Sequence, residues 1–433
     1  MKPGSSVTVH PARHIEGSLR LPGDKSISHR YAMLAGIAEG KSRLENYSTG
    51  ADCATTLGCL RSLGVHWERT NGAANVIEIT GRGLALSPPD HPLDCGNSGS
   101  TMRMLSGIMA GQDFSSELFG DESLSRRPMA RVMKPLTAMG AQITASPDDR
   151  PPLHIRGGHL KGIEYKMPVA SAQVKSCVLF AGLFAQGETR VEEPIRTRDH
   201  GEVALRAFGI ELSRNGNSTR ITGGQKLHAI DAQIPGDLSS AAFFFCAAAL
   251  FPGSRLVIDT LLMNPTRARL LDILIGLGVQ ISITQLEEQH GELVGTVRVE
   301  GQHLKSAEIA GADSAALIDE IPVLAAIAPF TEHGIRIRDA RELRVKESDR
   351  IKSIAMNLRA MGAQVEEQED GLTVPGGQWL HGAEIDSQGD HRIAMAFAIA
   401  ALRAEGDTVI KGADAAVISF PSFFETLETL VQH

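Results

Sequence analysis

The chain has 433 residues, of which 51 are acidic and 43 basic, a formal net charge of −8 and a hydrophobic fraction of 42%. Its length suffices for two or three domains with substantial cores. The negative charge argues against nucleic acid or an anionic membrane as a partner of the whole surface, so any affinity for an anionic ligand must come from local clusters of cations.

The chain begins with a predicted strand, followed by a predicted anion-binding turn. Val7, Val9 and Ile15 alternate as in a strand, and LPGDKSISHR (residues 21–30) then places a lysine, two serines and an arginine where an apolar helix begins. Backbone N–H groups and the positive end of the helix dipole are exposed at such a position. The turn is therefore typical of an anion site, although most single turns of this kind only cap their own helix.

A helix-end pattern recurs five times and divides the chain into repeats. Each copy closes an apolar helix on glycine, at Gly64, Gly140, Gly209, Gly278 and Gly362. Glycine adopts the left-handed conformation at a helix end without a Cβ penalty, and the residues that follow alternate as in a strand. These glycines lie 76, 69, 69 and 84 residues apart, a period that indicates a mixed α/β unit.

A second helix is predicted in each repeat, with a first turn that is small, polar or charged. These turns are residues 96–100, 170–173, 236–240, 311–314 and 389–392, and with the turn at 21–30 they give six repeats. If the repeats point the same way, several helix N-termini can converge on a ligand with two or three anionic groups. Pro-Gly pairs at 22–23 and 235–236 predict crossings between two lobes, residues 24–234 and residues 1–23 plus 235–433.

Three features favour a cytoplasmic protein. The five cysteines form no CxxC pair, which suits a reducing compartment. The first ten residues lack the apolar core of a signal peptide. The longest apolar run, residues 241–251, is too short to span a bilayer and predicts a buried helix.

Four further polar clusters are candidates for a site, each with a capped or solvated turn as its alternative. They are GDESLSRRPM (120–129), LIDEIP (317–322), RVKESDR (344–350) and GDHR (389–392). A carboxylate between apolar residues, such as Asp319, either caps a helix or has a tuned proton affinity. Arg392 opposes the helix dipole where it stands, and an anionic ligand is one reason to keep a cation there.

The motifs LPGDKSISHR, GNSGSTMR, GDESLSRRPM, SAQVKS, LIDEIP, RVKESDR and GDHRIAMA, in this order along the chain, closely resemble those of the 5-enolpyruvylshikimate-3-phosphate synthase family. The resemblance implies an α/β fold of two lobes, each of three βαβαββ units, with the active site in the interlobe cleft. It implies transfer of the enolpyruvyl group of phosphoenolpyruvate to the 5-hydroxyl of shikimate 3-phosphate, with release of phosphate through a tetrahedral intermediate. It further implies a monomer of the shikimate pathway to chorismate and aromatic amino acids, without metal or organic cofactor, that is a target of glyphosate.

The resemblance also implies roles for individual residues. Asp319 would be the base for the 5-hydroxyl, Glu347 the acid and base for the methylene carbon, and Lys25 a third catalytic residue. Shikimate 3-phosphate would be bound by Lys25, Ser26, Arg30, Ser171, Ala172, Gln173, Arg198, Asp319 and Lys346. Phosphoenolpyruvate would be bound by Lys25, Asn97, Gly99, Arg127, Gln173, Arg350 and Arg392.

The sequence departs from the family pattern at two positions. Ile418 stands where some members have a phosphate-binding lysine, and Met104 where many have proline. In this family, an alanine at the position of Gly99 is one known way to exclude glyphosate sterically. Because this chain has glycine there, we expect glyphosate to inhibit the enzyme.

Two alternative functions remain open from the sequence. One is the enolpyruvyl transferase acting on UDP-N-acetylglucosamine, most members of which carry a cysteine in the loop equivalent to 120–129, where this chain has none. The other is a non-catalytic repeat protein that binds a phosphorylated metabolite.

Overall fold

The computed structural model describes residues 4–70 and 75–433, which cluster into two compact units. The N-terminal unit comprises the described residues of Gly23–Ile234 together with Glu288–Glu292. The C-terminal unit comprises the described residues up to Pro22, Pro235–Glu287 and Leu293–His433.

The chain begins in the C-terminal unit with two strands and continues through the N-terminal unit. The first two strands are β1 (Ser6–Val9) and β2 (His14–Arg20). The elements of the N-terminal unit are α1 (Lys25–Gly36), β3 (Lys41–Glu45), α2 (Ala51–Ser62), β4 (His66–Arg69), β5 (Ile77–Thr80), β6 (Leu93–Asp94), α3 (Gly99–Ala110), β7 (Ser115–Phe119), α4 (Glu122–Ser125), α5 (Ala130–Met139), β8 (Gln142–Ser146), β9 (Arg150–Arg156), β10 (Glu164–Lys166), α6 (Ala172–Gly182), β11 (Glu188–Glu192), α7 (His200–Ala207), β12 (Leu212–Asn215), β13 (Ser218–Thr222) and β14 (Asp231–Gln233).

The remaining elements follow in the C-terminal unit. They are α8 (Leu238–Ala249), β15 (Arg255–Leu262), α9 (Arg269–Gly276), β16 (Gln280–Gln289), β17 (Glu292–Glu300), β18 (Ala307–Ile309), α10 (Ala312–Ala316), α11 (Ile321–Ile327), β19 (Ile335–Ile337), α12 (Arg350–Ala360), β20 (Glu366–Gln368), β21 (Gly371–Val374), β22 (Glu384–Asp386), α13 (His391–Ala401), β23 (Thr408–Lys411), α14 (Phe423–Glu428) and β24 (Val431–Gln432). Short 3-10 turns occupy Pro147–Asp149, Ala328–Phe330, Arg341–Val345 and Ala413–Ile418.

The described part of the N-terminal unit contains three sheets of one design. Their strand orders are β14-β3-β5-β4, β6-β7-β9-β8 and β10-β11-β13-β12. In each order the first and second strands are parallel. The second and third strands are antiparallel, and so are the third and fourth. The first repeat takes its parallel partner from β14, at the far end of the unit's sequence.

The C-terminal unit repeats this design with strands taken from the start of the chain. Its sheets, among the described residues, have the orders β16-β17-β15-β2-β24, β18-β19-β21-β20 and β1-β23-β22. Strand β2 is the parallel partner of β15, and β1 pairs antiparallel with β23. The first twenty residues therefore complete two sheets that otherwise consist of later strands.

The helix ends and starts that define the repeats form as predicted. The five repeat glycines all have positive φ, between +82° and +114°, which a residue with a Cβ adopts only with strain. The second helices begin after the N-cap residues Asp24, Ser98, Ser171, Gly311, Asp237 and Asp390. Except at Gly311, the N-cap side chain accepts a hydrogen bond from the first turn, so these ends are closed locally.

The longest apolar run forms α8, in which every residue is buried, as predicted. Its Phe243 and Phe244 pack edge-on or tilted against Phe423, with ring centroids 5.6 and 5.5 Å apart. In the ranges that the structure describes, none of the helices is long and apolar enough to cross a membrane.

Candidate active site

In the N-terminal unit, the start of α1 presents Lys25 and Arg30, each held by side-chain contacts. Lys25 Nζ lies 2.9 Å from Asp52 Oδ2. Arg30 is 2% exposed, and its guanidinium donates to Ser26 Oγ (2.7 Å) and to Ser176 Oγ (2.9 Å). Burial lowers the pKa of Arg30 to about 10, so this arginine remains charged at neutral pH.

Buried beside these cations, His29 is neutral. Burial, together with the charges of Lys25 and Arg30, lowers the pKa of His29 well below its ordinary value. Its Nδ1 lies 2.7 Å from Thr56 Oγ1, which lies 2.7 Å from Thr101 Oγ1. This chain of hydrogen bonds links α1, α2 and α3 close to their first turns.

The start of α3 brings two guanidinium groups to one glycine. Arg127 Nη2 donates to Asn97 Oδ1 (3.0 Å), and a Cβ added to Gly99 would lie 3.3 Å from Arg127 Nη1 and 2.8 Å from Arg103 Nη1. Arg103 Nη1 also donates to Gln173 Oε1 (2.9 Å). Gly99, Asn97, Arg127 and Gln173 therefore lie together, and the lack of a side chain at residue 99 leaves room beside two cations.

The start of α6 and the loop before α7 complete this group. Ser171 caps α6 by accepting from Val174 N (3.4 Å), and Ala172 is the first residue of that helix. Arg198 is half-buried, and its positive charge contributes to lowering the pKa of Arg30. The predicted ligands of this unit thus come from three helix starts and two loops, the loop between α4 and α5 and the loop before α7.

In the C-terminal unit, Arg350 joins the two predicted catalytic carboxylates. It is 1% exposed, donates to Glu347 Oε2 (2.6 Å) and Asp390 Oδ2 (2.8 Å), and places Nη1 3.5 Å from Asp319 Oδ1. Burial opposes the charge of Arg350, but Asp390 and Glu347 outweigh it and raise the pKa of Arg350 above its ordinary value. Burial likewise acts to raise the pKa of Asp390, yet the charge of Arg350 leaves that pKa below its ordinary value.

Two further predicted residues lie close to this arginine. Arg392 Nη1 donates to the carbonyl oxygen of Asp319 (2.7 Å), and its Nε lies 3.9 Å from Asp319 Oδ1. Lys346 is half-buried, and burial lowers its pKa below the ordinary value of 10.5, although Asp319 opposes this. Asp319, Lys346, Glu347, Arg350 and Arg392 therefore form one cluster, as a ligand site in this unit requires.

Sequence reasoning missed the partners that hold these residues. Asp52 pairs with Lys25, Asp390 with Arg350, and Arg103 with Gln173. Arg103 and Asp390 stand inside recognised motifs, so the motif itself could have drawn attention to them, whereas nothing in the sequence around Asp52 marks it. The departure at Ile418 lies in the 3-10 turn Ala413–Ile418. The nearest lysine before it in the sequence, Lys411 in β23, pairs with Glu384 in β22.

Comparisons with known proteins identify the family to which the chain belongs. The family model of EPSP synthase (3-phosphoshikimate 1-carboxyvinyltransferase) matches residues 9–427. A 3-phosphoshikimate 1-carboxyvinyltransferase of Koribacter versatilis (strain Ellin345) is 60% identical over 427 residues, 99% of each chain. That of Solibacter usitatus (strain Ellin6076) is 56% identical over 425 residues, 98% of this chain and 99% of its own. A solved EPSP synthase from Acinetobacter baumannii has a TM-score of 0.87 and 40% identity, covering 98% of both chains.

These matches confirm the fold, the enzyme class and the reaction expected from the sequence. They do not favour the UDP-N-acetylglucosamine alternative. The chain belongs to the EPSP synthase family and is an enzyme of the shikimate pathway that transfers the enolpyruvyl group of phosphoenolpyruvate to the 5-hydroxyl of shikimate 3-phosphate.

Proposed function

We propose that the polar groups of both units act on this one pair of substrates, with Asp319 and Glu347 as the proton-transfer residues. The observation that carries the proposal is that both carboxylates lie at one buried guanidinium, that of Arg350. Asp319 takes the proton of the 5-hydroxyl, and Glu347 delivers a proton to the methylene carbon of phosphoenolpyruvate. The tetrahedral adduct then loses phosphate as Glu347 takes a proton back from that carbon.

The cations bind the charges of the two substrates. Arg127, Arg350 and Arg392 suit phosphoenolpyruvate because a guanidinium binds carboxylate and phosphate through two parallel hydrogen bonds. Lys25, Asn97, Gly99 and Gln173 complete this set. Shikimate 3-phosphate is bound by Lys25, Ser26, Arg30, Ser171, Ala172, Gln173, Arg198, Asp319 and Lys346. We further propose a cytoplasmic monomer whose lobes are residues 24–234 and residues 1–23 plus 235–433, without nucleic-acid partners.

Phosphate release tests the proposed substrates directly. Purified protein is mixed with phosphoenolpyruvate and either shikimate 3-phosphate or UDP-N-acetylglucosamine, with no metal added. We expect release with shikimate 3-phosphate alone. Release with UDP-N-acetylglucosamine, or with neither acceptor from folded protein, would contradict the proposal.

Glyphosate is expected to inhibit the unmodified enzyme in competition with phosphoenolpyruvate. Gly99→Ala should raise two constants by about tenfold or more: the concentration of glyphosate needed for half-inhibition and the KM for phosphoenolpyruvate. Tenfold corresponds to about 1.4 kcal/mol of binding free energy. The reason is that the new Cβ lies 2.8 Å from Arg103 Nη1 and takes up room beside the two cations. Gly58→Ala in α2 is the control, since no atom lies within 4 Å of its added Cβ. Initial rates at varied phosphoenolpyruvate measure both constants, and equal constants for Gly99→Ala and wild type would contradict the proposed place of this ligand.

The KM for shikimate 3-phosphate is expected to rise in alkaline solution. Because the pKa of Lys346 is lowered from 10.5, its ammonium loses the proton at a lower pH than an exposed lysine does, and with it the attraction to phosphate. Lys346→Arg should remove this rise, since arginine stays charged throughout. KM measured from pH 7 to about pH 10 tests the expectation, with Lys352→Arg, an exposed lysine of α12, as the control. If the KM of Lys346→Arg rose equally in alkaline solution, the rise would have to come from the titration of another group.

A further inference from the structure

A buried polar cluster lies directly beside Asp319 and has no part in the roles proposed above. Its members are Ser239, Arg267 and Glu320, each at most 5% exposed. Ser239 Oγ donates a short hydrogen bond to Glu320 Oε1 and accepts one from Arg267 Nη2 at 2.5 Å. Arg267 Nη2 lies 3.9 Å from the same oxygen of Glu320. A carboxylate and a guanidinium are thus both removed from water and bridged by one hydroxyl.

The placement of Glu320 is not explained by helix capping. Glu320 is the N-cap residue of α11, yet its side chain makes no capping hydrogen bond. It reaches instead to Ser239 in the first turn of α8. That helix start is one of the six that the sequence marks as anion sites, and here the hydroxyl of Ser239 donates to a carboxylate of the protein itself. Burying a charged pair offers little net stability compared with apolar side chains, so a purely structural role accounts poorly for this cluster.

The backbone around Asp319 is held by hydrogen bonds of its own, next to the side chain of Glu320. Glu320 N donates to Leu317 O (2.8 Å), and the carbonyl of Asp319 accepts from Arg392 (2.7 Å). Asp319 is therefore held through its own carbonyl and through the side chain of the next residue. Since a misplacement of about 1 Å can cost about 100-fold in rate, the hold on Glu320 bears directly on a base at residue 319.

The arginine of the cluster comes from the turn before α9, which is held by its own hydrogen bonds and leads into a second arginine that binds the same segment. Asn264 Oδ1 accepts from Thr266 N (2.8 Å) and Thr266 Oγ1 (2.7 Å). Two residues after Arg267, Arg269 donates to both carboxylate oxygens of Asp313 (2.7 and 2.9 Å). The residues from Asp313 to Glu320 are thus bound at one end by Arg269, the first residue of α9, and at the other by Arg267, two residues earlier, through Ser239.

We propose that Glu320, held by Ser239 and Arg267, is a positioning residue that sets the orientation of Asp319 for proton removal from the 5-hydroxyl. This inference rests on the proposed role of Asp319 as the base. Glu320 touches neither substrate and acts through Asp319. Its removal therefore lowers kcat and leaves substrate affinity in place.

The test compares kcat and KM in matched variants of the full chain. Glu320→Gln keeps the acceptor for Ser239 but removes the charge, and Ser239→Ala removes the bridge; we expect kcat to fall about 30-fold and about tenfold, within the range for small misplacements. Both KM values should stay within about twofold. Glu367→Gln is the control for loss of a paired charge in the same unit, because its side chain is 28% exposed and water can replace its contacts. Ser254→Ala is the control for a buried serine of the same unit that accepts from a backbone N–H.

A double variant separates positioning from general stability. If Glu320 acts through Asp319, then Glu320→Gln adds no further loss of kcat in an Asp319→Asn background, whereas independent effects multiply. The inference would be overturned if the losses of kcat multiplied in the double variant, or if the folded single variants had the kcat of the wild type. In either case the loss of kcat in Asp319→Asn would still support the proposed function. Full turnover in Asp319→Asn itself would overturn the base and the inference with it. If Glu320→Gln does not fold, Ser239→Ala decides by the same criteria.

Discussion

Asp319→Asn is expected to lower kcat by about 10²- to 10⁴-fold, the usual contribution of a positioned general base. Asparagine has nearly the same shape and can still lie beside Arg350 and Arg392, but it cannot take a proton from the 5-hydroxyl. Glu347→Gln should cost a similar factor, because the amide can no longer deliver or recover a proton at the methylene carbon. Steady-state phosphate release, with shikimate 3-phosphate binding followed by calorimetry, measures both effects.

The control for these amide variants is Glu367→Gln. Glu367 is a half-buried carboxylate of the same unit that pairs with Arg344 at 3.2 Å, away from the proposed chemistry. It should keep kcat within about twofold. If Asp319→Asn and Glu347→Gln kept both ligand binding and turnover, the two carboxylates would be ordinary ion-pair partners.

Arg350→Met is expected to destabilise the C-terminal unit by about 3–5 kcal/mol, because removing one partner of a buried ion pair leaves the other charge uncompensated. Asp390 is 0% exposed and donates nothing when ionised, so it depends on the guanidinium of Arg350. Turnover should be lost as well, since Asp319 and Glu347 share this cation. Urea unfolding at pH 7 measures the loss of stability.

The pH dependence of this loss follows from the pKa of Asp390. A carboxyl group whose folded-state pKa lies below its unfolded value of 3.8 contributes stability above that pH and loses it as the pH falls through the folded pKa. The wild type should therefore lose stability in acid, and its advantage over Arg350→Met should shrink below about pH 4. Arg359→Met, an exposed arginine of α12 that is 3.8 Å from Glu367, is the control and should change stability by less than about 0.5 kcal/mol. A difference between Arg350→Met and wild type that stays constant down to pH 3 would contradict this account.

Local sequence signals predicted the repeats well because each signal acts within a few residues. A glycine after an apolar helix and a serine or aspartate before one determine where α2 ends and where α3 begins, whatever the rest of the chain does. The pairing of β14 with β3 spans 188 residues in register at Asp231 and Arg43, and no local pattern announces it. The same holds for the short segment Glu288–Glu292, the turn between β16 and β17 with the adjoining strand ends, which clusters with the N-terminal unit although the rest of both strands does not.

In the candidate site, too, local features were predicted from the sequence and long-range contacts were not. Residues in the first turns of helices were found from their motifs, and the motif RVKESDR contains both Glu347 and Arg350, which pair three residues apart. Their supporting partners were not found, because Asp52 is 27 residues from Lys25 and Glu320 is 81 residues from Ser239. Pairs of polar side chains so far apart in the sequence can be identified only once the fold has brought their helices together.

The pairing of β1 with β23 has a consequence for synthesis on the ribosome. The N-terminal unit can close its sheets once residue 233 has emerged, and β2 can pair with β15 once residue 259 has emerged. Strand β1, in contrast, must wait for β23 until residues near 411 appear. At about 5–20 residues per second this wait lasts tens of seconds. Strand β1 is therefore among the last strands to be paired, and until then it is exposed to chaperones and proteases.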